Sequence, residues 1–177
     1  ETALSSAQDM LQRIRELAIQ GNSDTLSSAD RNIIGKEVSS LRDALFSLAN
    51  TEDESGNYIF SGTAVKTPAF ARDSNNEISY TGDQNQISVD ISEYRQVKVN
   101  RAGDVVFNSV ERTSADGDVE EVEFFNVLDD LVSALNSGGD QMLSRGLKEI
   151  STLTDDMALS LADVGSRLNT VEGQRDI

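Results

Sequence analysis

The chain has 177 residues, a formal net charge of −16 and a sequence pI near 4.2, a balance that repels a phosphate backbone and argues against nucleic acid as a partner. No apolar run approaches the roughly 20 residues that span a bilayer, and no basic amphipathic face suits an anionic membrane surface. The absence of Cys and His removes disulfides, thiol chemistry, the common zinc ligands and the usual neutral-pH general base; no catalytic residue, cofactor or metal is expected.

A first helix is predicted over about residues 2–20, because Leu4, Ala7, Leu11, Ile14 and Ala18 alternate in steps of three and four. That spacing draws a narrow apolar seam, suited to helices that pack nearly parallel. Gly21-Asn22 is expected to close the helix in the left-handed conformation. Ser27 or Ser28 caps a second helix, with Asp30 near its positive end. This helix carries Ile34, Val38, Leu41, Leu45 and Leu48 on its seam, runs to about Asn50, and places Lys36, Arg42 and Asp43 on its exposed face.

After a polar turn at Thr51–Gly56, the segment Gly56-Asn57-Tyr58-Ile59-Phe60-Ser61-Gly62 sets two glycines around alternating aromatics. It reads as a turn entering a strand, with Tyr58 and Phe60 covering one end of the helical core. The period then becomes two. Glu77–Thr81 is a strand, followed by a turn at Gly82-Asp83-Gln84-Asn85. Ile87, Val89 and Ile91 form one half-buried set, Val97 and Val99 another, and Ala102-Gly103-Asp104 leads into Val105–Phe107. Asp116-Gly117 is a strong turn signal. One small antiparallel sheet is expected.

Helical spacing returns at Phe124, Val127, Leu128, Leu131 and Leu135, and Gly138-Gly139 stops that helix. A long last helix, about 140–176, carries Leu143, Leu147, Ile150, Thr154, Met157, Leu161, Val164, Leu168 and Val171, with Thr154 the one polar intruder. The fold class is α+β: an elongated antiparallel helical rod with an inserted small antiparallel β domain. The rod is discontinuous, 1–56 plus 124–177, and the insert is 57–123.

Chemistry-bearing clusters are thin. Asp116, Asp118, Glu120, Glu121 and Glu123 are the densest acidic group, but calcium needs six to eight converging oxygens and the loop spacing fails, leaving a solvated turn and strand. Asp155 and Asp156 point about 100° apart on a helix and do not converge. No nucleophile elbow and no phosphate-cradling glycine loop is present.

Leu11-Gln12-Arg13-Ile14-Arg15-Glu16-Leu17-Ala18-Ile19-Gln20, continued by Asn22, Asp30, Ile34, Glu37 and Leu41, resembles the first rod helices of bacterial flagellins. Val164-Gly165-Ser166-Arg167-Leu168-Asn169 is similar to their closing helix. The stretch Gly56, Tyr58, Phe60, Ser61, Gly62, with Thr67-Pro68-Ala69-Phe70 after it, departs from the flagellin pattern and resembles the hook-associated protein 3 family of hook–filament junction proteins. The resemblance covers residues 1–70 and about 140–177. It implies a structural subunit of the bacterial flagellum, extracellular and exported by the flagellar secretion apparatus. Its implied partners are neighbouring copies in a ring, a hook-side junction protein, flagellin, and an export chaperone bound through a C-terminal end. Terminal polymerisation helices, known in the family, are expected to be missing from this stretch of chain. Carried over residue by residue, subunit contacts would involve Arg13, Arg15, Glu16, Gln20, Asn22, Glu37, Arg167 and Asn169. A minor flagellin is the near alternative, and a surface adhesin or binding module the one from another class.

Overall fold

The computed structural model describes residues 1–92, 95–98, 100–114, 116–137 and 139–175. Among the described residues, four long helices run up, down, up and down. They are α1 (Thr2–Gly21), α2 (Ser28–Ala49), α4 (Phe124–Ser137) and α5 (Asp140–Arg175), with α3 a single turn at Gly103–Val106. α1 packs on α5, α2 on α4, α4 on α5 and α1 on α2. The seams explain this arrangement. Leu4, Ala7, Leu11, Ile14 and Ala18 are all buried, as are Ile34, Val38 and Leu45, with Leu41 and Leu48 half-buried against them. On α5, Leu143, Ile150 and Met157 are buried, whereas Leu168 near the far end is 38% exposed.

Thr154 occupies its seam position without a polar penalty, because its hydroxyl donates to the carbonyl of Ile150 at 2.7 Å. Ser151 and Thr152 make the same backward bond, to Leu147 at 2.9 Å and Lys148 at 3.3 Å. Ser27 caps α2, its Oγ accepting from the Asp30 amide at 3.2 Å.

Several expectations are corrected. Asn22 is not left-handed (φ −82°); its amide instead closes α1 on the Ala18 carbonyl at 3.0 Å. Gly21 remains helical, and the reason for glycine there is packing: a Cβ would collide with Leu135 of α4. Arg42 is buried rather than exposed, and its guanidinium reaches Asp129 at 2.8 Å and Asp43 at 3.3 Å. Burial pushes the Asp129 carboxyl up, and Arg42 opposes that shift.

Among the described residues, the β region is not one sheet but three separate antiparallel hairpins. β1 (Phe70–Arg72) pairs with β2 (Ile78–Tyr80), β3 (Ser88–Ser92) with β4 (Arg95–Lys98), and β5 (Val110–Thr113) with β6 (Val119–Val122). Residues 103–106 wind into α3 instead of extending. Ile87 and Val89 are exposed, not half-buried, at 36% and 46%. Val99, Gly138 and the side chain of Ile91 lie outside the described residues. Gly117 forms the expected turn between β5 and β6, with φ +89°.

An aromatic cluster joins these hairpins to the helices. Phe107 meets Phe60, Phe70 and Phe124 with ring centroids 5.4, 5.6 and 5.2 Å apart, and Phe125 lies 5.0 Å from Phe124 and 5.9 Å from Phe46. The edge-to-face arrangement suits the ring quadrupoles. The buried core thus runs without a break from the helical seams through these rings to Val110 and Val122.

Candidate functional site

The glycine-bracketed turn is built for shape. Gly56 and Gly62 have φ of +69° and +70°, a region that costs other residues strain. At Gly62 a Cβ would also strike the Asp83 backbone. Ser61 is fully buried and donates to the Thr67 carbonyl at 2.7 Å. Phe60 enters the aromatic cluster, and its carbonyl accepts from the Gly103 amide at 2.7 Å and the Tyr80 hydroxyl at 3.1 Å. Tyr58 does not share that burial. Its phenol hydrogen-bonds to Glu52, which pushes the phenol pKa up, and Ile59 packs on the core in its place. The alternation read as a strand is a turn, so adjacent side chains need not fall on opposite faces.

Asp83 clasps the same turn from outside. Its carboxylate accepts from the Thr63 amide at 3.0 Å, the Thr63 hydroxyl at 2.6 Å and the Asn85 amide at 2.8 Å. These bonds to the charged form lower its pKa to about 2.

The rod residues divide into two groups. Arg13 donates to Glu37 at 2.7 and 3.0 Å and meets Glu16 at 3.3 Å, tying α1 to α2. These carboxylates hold the guanidinium above its usual range. Arg15, Gln20 and Asn169 are exposed, and Arg15 has no ion pair among the described residues. Asn22 is half-buried, as is Arg167, which pairs with Asp163 at 2.9 Å. The named side chains are not gathered into one site: Arg13, Arg15, Glu16, Gln20, Asn22 and Glu37 sit on α1, α2 and their connection, whereas Arg167 and Asn169 lie on α5.

Two features escaped the sequence reading. Ile19 and Ile33 stand 55% and 63% exposed on the rod; both fall off the apolar seams, which is the signal that could have found them. A groove of about 340 Å³ opens where the start of α1 meets the far half of α5, lined by Leu4, Ile59, Val97, Val164, Leu168 and Val171 among others. Among the described residues, no group of acidic side chains is arranged to hold a metal. Asp156 accepts from Asn108 at 2.8 Å and does not face Asp155 as a pair.

Comparison with known proteins gives a consistent pattern. Residues 1–65 match the model of the bacterial flagellin N-terminal helical region. The chain is 29% identical over 188 aligned positions to flagellar hook-associated protein 3 of Escherichia coli, covering 97% of this chain and 57% of that protein. It spans about half the length of the curated relatives that it matches. The crystal structure of Xanthomonas campestris FlgL superposes with a TM-score of 0.87 at 20% identity, covering 99% of this chain and 86% of the other. Bacillus cereus flagellin superposes with a TM-score of 0.53 at 17% identity, covering 97% of this chain and 77% of the other.

Proposed function

We propose that this chain is a structural subunit of the bacterial flagellum, at the junction between hook and filament. One observation carries the reading: nearly the whole chain, hairpins included, superposes on a FlgL structure with a TM-score of 0.87, against 0.53 for flagellin. The turn at residues 56–62 supports it, because its two left-handed glycines and buried Ser61 set the path of the chain out of α2. In this role the rod, 1–56 plus 124–177, transmits torque, and the segment 57–123 is the outgrowth that distinguishes the subunit from its neighbours.

Partners follow from the position: neighbouring copies in a ring, a hook-side junction protein, flagellin on the filament side, and an export chaperone before assembly outside the cell. Exposed Arg15, Gln20 and Asn169 are the rod side chains most open to such contacts, whereas Arg13, Glu16 and Glu37 are engaged with one another. The work is mechanical and calls for no catalytic group. A minor flagellin is favoured by one finding, the match of residues 1–65 to the flagellin helical region. Labelling the protein on intact flagella separates the two. A single band at the hook end fits the junction role; label along the whole filament gives the chain to flagellin.

A further inference from the structure

The groove at the joined ends of α1 and α5 differs in charge from the rest of the molecule. Its floor is apolar, with Leu4, Ile59, Val97, Val164 and Leu168. Its rim carries Lys98, Arg101 and Arg167, against Glu1 as the acidic lining residue. Arg101 and Arg167 share one carboxylate, Asp163, at 3.0 and 2.9 Å. Lys98 is exposed and has no ion pair among the described residues. On a chain with a net charge of −16, this is a basic rim around an apolar slot.

The outward face of the β5–β6 hairpin has the opposite character. Register sets Glu111 directly across from Glu121, and Thr113 across from Val119. Val110, Arg112 and Val122 turn inward, so these four residues share the solvent face. Like charges directly opposite on a ladder are destabilising, and neither glutamate has an ion pair among the described residues. Val119 stands 64% exposed beside them.

We propose that the groove is the docking site for the β5–β6 hairpin of a second copy of this chain. Val119 enters the apolar slot, and Glu111 and Glu121 meet the Lys98, Arg101 and Arg167 rim. Charge complementarity selects this occupant: an acidic hairpin with an apolar knob fits a basic-rimmed apolar socket. The contact joins two different surfaces, so it is heterologous, and repetition closes a ring or winds a helix. The inference rests on the junction reading, which supplies neighbouring copies.

The chain has no Cys, so crosslinks form only where thiols are placed. Val119→Cys and Leu168→Cys chains, both altered at exposed positions, are mixed at high concentration with a short thiol crosslinker. The mixed product is expected to exceed either self-product and to fall as salt rises. Glu111→Lys/Glu121→Lys in the Val119→Cys chain should lower its yield about tenfold, the combined effect of two exposed ion pairs. A Lys98→Glu partner should restore part of it. Equal crosslinking to a control thiol at Leu159, which is 70% exposed, would mean random collision and overturn the contact. Dominant Leu168→Cys self-product would also overturn it, as would loss of that thiol's reactivity in a monomer extended at both ends, where the chain itself would fill the groove. None of these results moves the label on intact flagella, so the junction reading stands or falls separately.

Discussion

The hairpins β3–β4 and β5–β6 are built alike and held differently. Both are short antiparallel pairs that carry β-branched residues on each strand. The β5–β6 pair buries Val110 and Val122 in the core, and Arg112 reaches across to the helices. That guanidinium donates to both oxygens of Glu149 on α5 at 2.8 Å and to Asp130 on α4 at 2.6 Å. The carboxylates raise the Arg112 pKa, with the Glu149 bonds the largest cause. The β3–β4 pair leaves Ile87 and Val89 in solvent and is anchored at its root, where Asn100 accepts from the Ile87 amide at 2.7 Å and donates to the Gly62 carbonyl at 2.7 Å. Pairing of two short strands therefore does not decide their burial, which depends on what the fold brings against them.

The largest expected effect is at Phe107, the ring that precedes β5 and touches Phe60, Phe70 and Phe124. Phe107→Ala should cost about 3–5 kcal/mol in denaturant unfolding, the usual penalty for emptying a buried aromatic site. A change below about 1 kcal/mol would mean that the rings do not anchor β5–β6. Next comes Glu149→Ala. Arg112 and Glu149 are 11% and 7% exposed, and removing one partner strands the other's charge. The expected loss is about 2–4 kcal/mol, moderated because Asp130 remains. Arg112→Met with Glu149→Leu should recover most of it, and a pair no better than the single change would show that geometry, not charge, holds the hairpin.

Asp83 tests the root of β3–β4 through acid. Its pKa is lowered from 3.8 to about 2, so the folded state binds the proton less readily than the unfolded one. Its stabilising contribution is complete above pH 3.8 and is lost as pH falls towards about 2. Asp83→Asn should remove that component of the acid transition, and protection of the Thr63 amide from exchange should fall even at neutral pH. An acid profile unchanged by the substitution would detach the clasp from stability. The smallest effect belongs to Val89→Thr, on the face that β3 leaves exposed. Its unfolding free energy should move by no more than about 0.5 kcal/mol; a larger loss would mean that β3–β4 is packed after all.

The rod was legible because periodicity and burial coincide on it. Each seam position from Leu4 to Ala18 is buried, and Ser27 caps α2 as its position before an acidic first turn suggests. In the β region β2, β3 and β4 were legible as strands and Asp116-Gly117 as a turn, but β1, β5, the helical turn α3 and the separation into hairpins were not. Pairing partners depend on where the helices leave room, and period two carries no information about that. Arg42 shows the same limit in one residue. A charged side chain beside Asp43 reads as solvent-facing, and its burial is set by Asp129, a residue from another helix. The aromatic cluster collects Phe46, Phe60, Phe70, Phe107, Phe124 and Phe125 from scattered positions, and no local pattern marks their convergence. The motif at 56–62 was recognisable as a unit, yet its period-two alternation read as a strand where the chain makes a turn with glycines at positive φ. The groove was hidden because its walls come from α1, α5, β4 and the turn at Ile59.

The hydroxyls of Ser151, Thr152 and Thr154 bear on how α5 deforms. Side chains that bond back to a carbonyl one turn earlier tend to bend a helix and weaken its ladder slightly. At 36 residues α5 is about 54 Å long, and these three bonds span residues 147–154, about two turns of it. For the same reason that stretch is more compliant than helix without such bonds. Glu149 lies within it, so the Arg112 clamp acts as a splint across that stretch. Twist applied at the far end of α5 meets a spring before it meets the aromatic anchor, and the splint sets how far that spring opens.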